Sequence, residues 1–378
     1  MNLFFCLFKY FPYGGLQRDF LKIARLCVER GHVVHVLTMS WEGEQPEGMQ
    51  VTVLPAKGLS NHAKVSHFAK EAHALISASE CDAVVGFNKM PGLDVYFAAD
   101  PCYQRHVVEN KSAWYRLLPR CKTYLAMESA VFEQTANTKI LLLAPWEQQR
   151  FCQSYGTSSE RFHLMPPGIA HRQETQGANE TVRRQFRQHL NLADDEKMLL
   201  MVGSGFRTKG VDRAIHALAA LPDELSAKCR LVVLGNGKEQ PLQKLATRLG
   251  VGGRVSFHGV QDDVSSYYLA ADLLVHPART EAAGMVLLEA MTHGLPILVT
   301  DVCGYAFHIE QAGAGQLLSS PFCADAFSHL LQRMLCSEEM PRWKENGLDY
   351  AARTDLYSLP EKAVQVIEAL PVERGANV

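Results

Sequence analysis

Short apolar runs alternate with amphipathic stretches along the whole chain. The first run covers residues 3–8, and a helical pattern follows over residues 16–30, after the turn at Gly14-Gly15. Apolar runs of roughly four to eight residues between helical patterns are typical of parallel strands joined by crossover helices. The pattern therefore predicts an α/β fold. Further strands are predicted at residues 33–39, 51–54, 83–87, 95–99, 140–143, 198–202, 231–234, 255–257, 273–275 and 297–299.

The alternation is interrupted once, near Pro166-Pro167-Gly168. The stretch from there to about residue 179 is polar and rich in turn residues, which indicates a linker between domains. A chain of 378 residues also suits two domains of about 150–200 residues each. We therefore expect two doubly wound, Rossmann-like domains, 1–168 and 169–355, that face a central cleft lined by the carboxyl ends of their strands.

The composition is that of an ordinary globular protein. Hydrophobic residues make up 47% of the chain and charged residues 21%, and the formal net charge is -2. Without a basic excess, we expect no nucleic-acid partner. The ten cysteines include no C-x-x-C pair, which indicates reduced thiols and no structural zinc site. The chain shows neither a signal-peptide pattern nor an apolar run that could span a bilayer, which indicates a cytoplasmic protein with at most peripheral membrane contact.

The stretch 280–290 combines two carboxylates with a helix start. Its small residues leave the first N–H groups of the helix open to an anion. Glu281 precedes this helix and Glu289 lies more than one turn inside it, so the pair could hold the hydroxyls of a sugar and a ribose. The alternative is a helix cap at Glu281 and a surface residue at Glu289. The candidate binding residues here are Glu281, Ala282, Ala283, Gly284, Met285, Val286 and Glu289.

A second turn, after the predicted strand 198–202, carries Arg207 and Lys209. Cations at such a turn can neutralise the charge on a departing diphosphate, and removing such a contact costs about 3 kcal/mol in the transition state. The turn is not a P-loop, because Gly210 follows Lys209 where that motif has Ser or Thr. A dinucleotide fingerprint is excluded because the third glycine is missing. Ordinary exposed cations at a helix start are the alternative.

Two weaker candidates follow strands in the first half of the chain. Gly15 and the glycine before it would let a ligand approach the backbone closely, and Asp19 comes one turn later. Asp100 comes at the end of the predicted strand 95–99, where functional residues of such sheets are often found. A plain tight turn and a structural turn carboxylate are the alternatives.

Residues 103–124 mix basic and aromatic side chains, with Glu109 as the single acidic residue. This mixture suits the headgroup layer of an anionic membrane, where each cation contributes about 1 kcal/mol. A solvated helix face is the alternative. The candidate membrane contacts are Arg105, Lys111, Trp114, Arg116, Arg120 and Lys122.

Together these segments resemble the retaining glycosyltransferases of the GT-B fold whose E-x7-E motif here runs from Glu281 to Glu289. The resemblance extends to the lipopolysaccharide core glucosyltransferases of that family. It is carried by four stretches: KYFPYGGLQRDF at 9–20, VVGFNKMPGLDVY at 84–96, EAAG at 281–284 and DLYSLPEK at 355–362.

The resemblance implies transfer of glucose from UDP-glucose to a heptose of the lipopolysaccharide inner core, with retention of the anomeric configuration. It implies that Glu281 contacts the donor sugar and Glu289 the ribose. Lys209 would bind the diphosphate, helped by Arg207 and Arg172. Most of the family has an arginine five residues before this lysine, and the present chain has a serine there. Arg207 is the cation that could replace it.

The same resemblance places the acceptor in the first domain, which a last helix at about 356–378 would complete, and the nucleotide sugar in the second. Gly15 would lie beside the diphosphate, and Asp19 or Asp100 near the acceptor. Glu281, Lys209 and Asp100 are the catalytic candidates. The implied location is the cytoplasmic face of the inner membrane.

Several motifs are absent from the sequence. There is no Asp-x-Asp pair for a divalent metal, so we expect neither a metal nor a cofactor, with the UDP-sugar as a substrate. The alternatives are the same class of reaction with another UDP-hexose as the donor, and a UDP-sugar epimerase. An oxidoreductase would need a complete G-x-G-x-x-G, and a membrane scaffold would not need the pair Glu281 and Glu289.

Overall fold

The computed structural model describes residues 1–12, 14–171 and 178–371, which form two compact units. The first unit comprises Met1–Gly168 and the chain from Tyr357 onward, and the second comprises Ile169–Leu356. The sequence predicts a boundary between the domains at residue 168 and the return of the chain to the first domain at about residue 356. None of the described helices is long and apolar enough to cross a membrane.

The first unit contains a parallel seven-stranded sheet in the order β3-β2-β1-β4-β5-β6-β7. β4 and β5 are buried along their whole length, because helices cover both faces of a parallel sheet. The strands are β1 (Asn2–Tyr10), β2 (Val33–Trp41), β3 (Met49–Val53), β4 (Ala83–Gly86), β5 (Val95–Ala98), β6 (Lys139–Leu142) and β7 (Phe162–Leu164). The helices among them are α1 (Gly15–Glu29), α2 (Asn61–Ser77), α3 (Tyr103–Asn110), α4 (Pro119–Phe132) and α5 (Pro145–Tyr155), with 3₁₀ turns at Ala113–Leu117 and Ser159–Arg161.

The second unit contains a parallel six-stranded sheet in the order β10-β9-β8-β11-β12-β13. Its strands are β8 (Lys197–Val202), β9 (Cys229–Leu234), β10 (Val255–Gly259), β11 (Leu273–His276), β12 (Ile297–Thr300) and β13 (Gly315–Leu318). Its helices are α6 (Ala178–His189), α7 (Phe206–Lys209), α8 (Val211–Ala219), α9 (Asp223–Ala227), α10 (Glu239–Arg248), α11 (Val264–Ala270), α12 (Met285–Thr292), α13 (Ala306–Ala312), α14 (Ala324–Leu335) and α15 (Met340–Arg353), with a 3₁₀ turn at Gly252–Arg254.

A last helix, α16 (Leu359–Glu368), belongs to the first unit and packs against α1. Its Glu368 accepts hydrogen bonds from Arg30 Nη1 at 2.7 Å and pairs with His32 Nε2 at 2.9 Å. The backbone N–H of Leu359 donates to Pro167 O at 3.2 Å, which fixes the start of the helix.

In both sheets the strand order reverses beside the first strand of the unit, between β1 and β4 and between β8 and β11. Ligands of doubly wound sheets bind at this switch point, outside the carboxyl ends of the strands. The candidate ligand sites are therefore the loops that follow β8 and β11 in the second unit and those that follow β1 and β4 in the first.

Candidate active site

The turn after β8 presents Lys209 at the end of α7. Gly210 separates α7 from α8 with φ +75°, and a Cβ built on it would lie 2.1 Å from the carbonyl oxygen of Pro277, so the close approach of this turn to the chain after β11 requires glycine. The turn consequently lies against the loop that carries Glu281.

Lys209 Nζ and Glu281 form an ion pair, and both side chains are mostly buried. The fully buried His276, at the end of β11, completes the group with Nε2 3.4 Å from Glu281 Oε2. Burial would raise the pKa of Glu281, but the hydrogen bond from His276 and the charge of Lys209 lower it to about 2. Glu281 is thus a fixed carboxylate at any physiological pH, able to accept hydrogen bonds from hydroxyl groups.

The loop between Glu281 and α12 is held by the turn after β12. The N–H groups of Gly304 and Tyr305 donate to the carbonyls of Glu281 and Ala283 at 3.1 and 2.7 Å. Ala282 and Ala283 are half-buried, Gly284 is the N-cap with φ +90°, and α12 begins at Met285. The first N–H groups of a helix have no partner within it, so the residues from Gly284 to Val286 can bind an anion.

Arg279 connects the two loops. Its guanidinium donates to both carboxylate oxygens of Asp212, at 2.8 and 2.7 Å, and to Arg207 O at 2.8 Å. Its own N–H donates to Thr208 O at 2.8 Å. These contacts fix the turn that bears Lys209 relative to the loop that bears Glu281.

The remaining donor candidates are distributed around this group. The Arg207 side chain is exposed at the turn, and Ser204, at the position of the family's arginine, accepts a hydrogen bond from Asn236 N at 3.0 Å. Glu289 accepts from Tyr268 OH at 2.9 Å and is half-buried on α12. Arg172 lies outside the described residues, so its role stays a prediction.

In the first unit, Gly15 is the first residue of α1 and Asp19 lies one turn later. Asp19 is only 4% exposed, and its Oδ1 has no hydrogen-bond partner among the described residues. Burial raises the pKa of Asp19 to about 7, against the opposing charges of Lys22 and Arg18. Asp100 follows β5 and is exposed.

The segment 103–124 forms α3, a 3₁₀ turn and the start of α4, and exposes large apolar side chains beside its cations. Trp114 is 78% exposed and Leu117 58%. Arg105 is paired with Glu109 at 2.5 Å, which offsets its charge. The cations Lys111 and Arg120 lie over the rings of Tyr115 and Tyr124, at 5.6 and 5.9 Å, while Arg116 and Lys122 are exposed.

Three residues of the second-unit site were not predicted from the sequence: His276, Arg279 and Asp212. The signal for His276 was its place at the carboxyl end of a buried strand. Within the described part of the chain, no group of three His, Cys, Asp or Glu side chains could hold a metal ion.

Solved structures share the fold, among them the following two. The crystal structure of WaaG, a glycosyltransferase involved in lipopolysaccharide biosynthesis, superposes with a TM-score of 0.90 at 43% identity over 97% of this chain and all of that one. Anabaena Alr3699/HepE in complex with UDP and glucose gives 0.74 at 19% identity over 98% of this chain. The predicted fold of two Rossmann-like domains is confirmed, and fold and site define a glycosyltransferase of the GT-B type.

The sequence comparison specifies the family. Residues 182–349 match the family of glycosyl transferases group 1. The chain is 44% identical to the lipopolysaccharide glucosyltransferase WaaG of Escherichia coli (strain K12) over 97% of its own length and 98% of that relative. The chain therefore belongs to the group 1 glycosyltransferases and is a hexosyltransferase.

Proposed function

We propose that this enzyme transfers glucose from UDP-glucose to a heptose of the lipopolysaccharide inner core, as the first outer-core sugar, with retention of configuration. The observation that carries the proposal is the group of Lys209, Glu281 and His276 beside the start of α12 in a chain 44% identical to a lipopolysaccharide glucosyltransferase. A buried cation, a fixed carboxylate and free helix N–H groups suit a sugar diphosphate.

In this proposal the second unit binds the donor. Glu281 accepts hydrogen bonds from the hydroxyls of the glucose, and Glu289 binds the ribose. Lys209 and the N–H groups of Gly284 and Met285 stabilise the charge of the leaving diphosphate. The reaction then needs no metal ion and no cofactor, because protein groups supply the positive charge.

The chemical step is a same-face substitution. The bond between the anomeric carbon and the diphosphate oxygen breaks through a short-lived oxocarbenium-like state. The acceptor hydroxyl forms the new bond on the face that the diphosphate leaves. Its proton passes to the departing diphosphate oxygen, so that no separate protein base is required.

The first unit binds the acceptor in this proposal, with Asp19 and Asp100 as candidates and Gly15 beside the diphosphate. In this proposal the acceptor is carried by a lipid, and the enzyme works on the cytoplasmic face of the inner membrane. The exposed Trp114 and the cations Arg116 and Lys122 suit reversible docking to anionic headgroups.

The test is the release of UDP from UDP-glucose with and without a core lipid that ends in heptose and lacks outer-core sugars. Glu281→Ala removes the carboxylate. Glu338→Ala is the matched control, because Glu338 is exposed on the same unit. NMR of the product gives the anomeric configuration, and UDP-galactose and UDP-N-acetylglucosamine test the choice of donor.

The proposal expects release that depends on the acceptor, is lost in Glu281→Ala and persists in Glu338→Ala. Near-normal turnover of Glu281→Ala would overturn the role of this carboxylate. Conversion of the UDP-sugar without any acceptor would instead identify an epimerase.

A further inference from the structure

A cavity of about 470 Å³ lies in the first unit, outside the carboxyl ends of β1 and β2 and beside α2 and α4. Its volume is within the roughly 300–1,000 Å³ usual for ligand pockets. Lys9 near the end of β1, Ser40 near the end of β2 and Asn88 just after β4 contribute to its wall. The cavity therefore lies at the switch point of this sheet, where doubly wound folds bind ligands.

The wall is cationic and polar. It includes Lys9 and Lys64 but neither aspartate nor glutamate. Within residues 1–12, 14–171 and 178–371, neither lysine side chain has an ion-pair or hydrogen-bond partner. Lys9 is exposed, whereas Lys64 is half-buried, one turn into α2. Two cations that share a cavity without an acidic partner repel each other and favour an anion between them.

The polar groups around the lysines are held in place by the backbone. Gln17, which is 7% exposed, donates from Nε2 to Lys9 O at 3.0 Å, and so fixes the end of β1. Asn88 accepts from Phe8 N at 2.7 Å through Oδ1, which leaves its amide nitrogen to donate to a ligand. Amide and hydroxyl groups of this kind suit the hydroxyls of a saccharide.

The cavity also adjoins the predicted membrane contact. Tyr124 of α4 lines it, and the guanidinium of Arg120, one turn earlier on the same helix, lies 5.9 Å from the centre of the Tyr124 ring. A saccharide carried by a membrane lipid could therefore enter this cavity while the first turn of α4 contacts the headgroups.

We propose that this cavity binds an oxyanion, a phosphate or a carboxylate, carried by the acceptor saccharide, and that Lys9 and Lys64 bind its charge. This inference rests on the proposed function, because it assigns the cavity to the acceptor of that reaction. Lys9 and Lys64 then determine specificity. They select an acidic core saccharide over a neutral one and take no part in bond breaking.

The experiment measures binding by calorimetry, which requires no turnover. The probes are L-glycero-D-manno-heptose 7-phosphate, 3-deoxy-D-manno-octulosonate and the neutral heptose. The variants are Lys9→Ala, Lys64→Ala and Lys64→Arg. The matched control is Lys70→Ala, because Lys70 is exposed on the same helix α2 and does not line the cavity. Circular dichroism and urea unfolding of each variant show that it is folded.

We expect the wild-type protein to bind the acidic sugars more tightly than the neutral heptose. Either alanine variant should bind the acidic sugars about tenfold more weakly than the wild type does. Lys70→Ala keeps the affinity, Lys64→Arg restores most of it, and added salt weakens it. Preference for the phosphate or for the carboxylate probe identifies which oxyanion is bound.

Equal affinity for acidic and neutral sugars would overturn the proposal, as would alanine variants that match Lys70→Ala. Failure of the proposed function is a separate result: binding of the acidic sugars would persist although no glucose is transferred to the heptose-terminated lipid.

Discussion

Arg279 and Asp212 are joined by two parallel hydrogen bonds, Nη1 to Oδ1 at 2.8 Å and Nη2 to Oδ2 at 2.7 Å. The pair raises the pKa of Arg279 and lowers that of Asp212, although burial acts against the shift in both. Neither residue belongs to the group around Glu281. Arg279 lies in the loop after β11 and Asp212 in the first turn of α8, and their contact holds together the segments that carry Glu281 and Lys209.

Arg279→Ala is therefore expected to lower kcat about tenfold, which corresponds to about 1.4 kcal/mol, because Lys209 loses its fixed position. Arg279→Lys should recover part of the loss, since an ammonium can reach Asp212 but cannot form the two-point contact. Steady-state kinetics with UDP-glucose measures both. Arg342→Ala is the control, because Arg342 forms an exposed ion pair with Glu339. Equal kcat in the Arg279 and Arg342 variants would contradict the prediction.

His276→Phe should shift the acid side of the pH–rate profile. It removes the hydrogen bond that contributes most to lowering the pKa of Glu281, so this pKa rises from about 2 towards its ordinary value of 4.5. Activity should then fall at a higher pH than in the wild type. His308→Phe replaces another buried histidine of the same unit and should leave the profile unchanged. A His276→Phe profile that matches the wild type would be inconsistent with this role.

Glu281 also links stability to pH. Its pKa in the folded protein lies below that of the unfolded chain, so the carboxylate stabilises the fold at pH above about 4.5. That contribution is lost as the pH falls from 4.5 through about 2. In His276→Phe the contribution of Glu281 to the free energy of unfolding should be lost completely at a higher pH than in the wild type. Unfolding in urea between pH 3 and 7 would detect this difference.

Asp19 is expected to have the opposite effect on how stability depends on pH. Its pKa of about 7 exceeds the ordinary 3.8, so the folded protein is progressively destabilised as the pH rises from about 4 to 7. Asp19→Asn should therefore be more stable by about 4 kcal/mol at pH 8, and the difference should vanish below pH 4. Urea unfolding measures this, with the exposed Asp349→Asn as control. Identical curves for Asp19→Asn and the wild type would refute it.

Membrane docking is expected to depend on charge. Replacing Arg116, Arg120 and Lys122 by alanine should weaken binding to vesicles with anionic lipids roughly a hundredfold, at about 1 kcal/mol per cation. Replacing the exposed Lys238, which precedes α10, together with the exposed Lys244 and Arg248 of α10 removes the same charge from the second unit. Sedimentation with the vesicles compares the two. Equal loss in both variants would indicate an effect of net charge alone.

The sheets were predictable because β4, β5, β11 and β12 each begin with at least three consecutive apolar residues and lie between turn residues. β7 and β13 were missed because each is a partly exposed edge strand of only three or four residues, whereas the edge strands β3 and β10 have five residues each and were predicted. Lys209 and Glu281 were candidates because their motifs lie within single loops. His276 has the burial of a core residue, which the sequence does not distinguish from a functional one.

Long-range pairs were beyond the sequence. Arg279 and Asp212 are 67 residues apart along the chain, and Lys9 and Lys64 come from different elements. The order of the strands in the sheet brings such residues together, and the spacing of residues within one motif does not reveal that order. A single sequence therefore predicts which turns carry functional residues. It predicts less well which side chains from different turns are in contact.

The return of the chain into the first unit also affects how the protein is made. A chain leaves the ribosome in order, and domains generally fold as units while synthesis proceeds. The second unit is one continuous segment and can fold as soon as Leu356 has emerged. The first unit must wait, with the surface of α1 uncovered, until α16 is synthesised after some 190 intervening residues, at roughly 5–20 residues per second. The part of the chain that is synthesised first is thus the last to complete its fold.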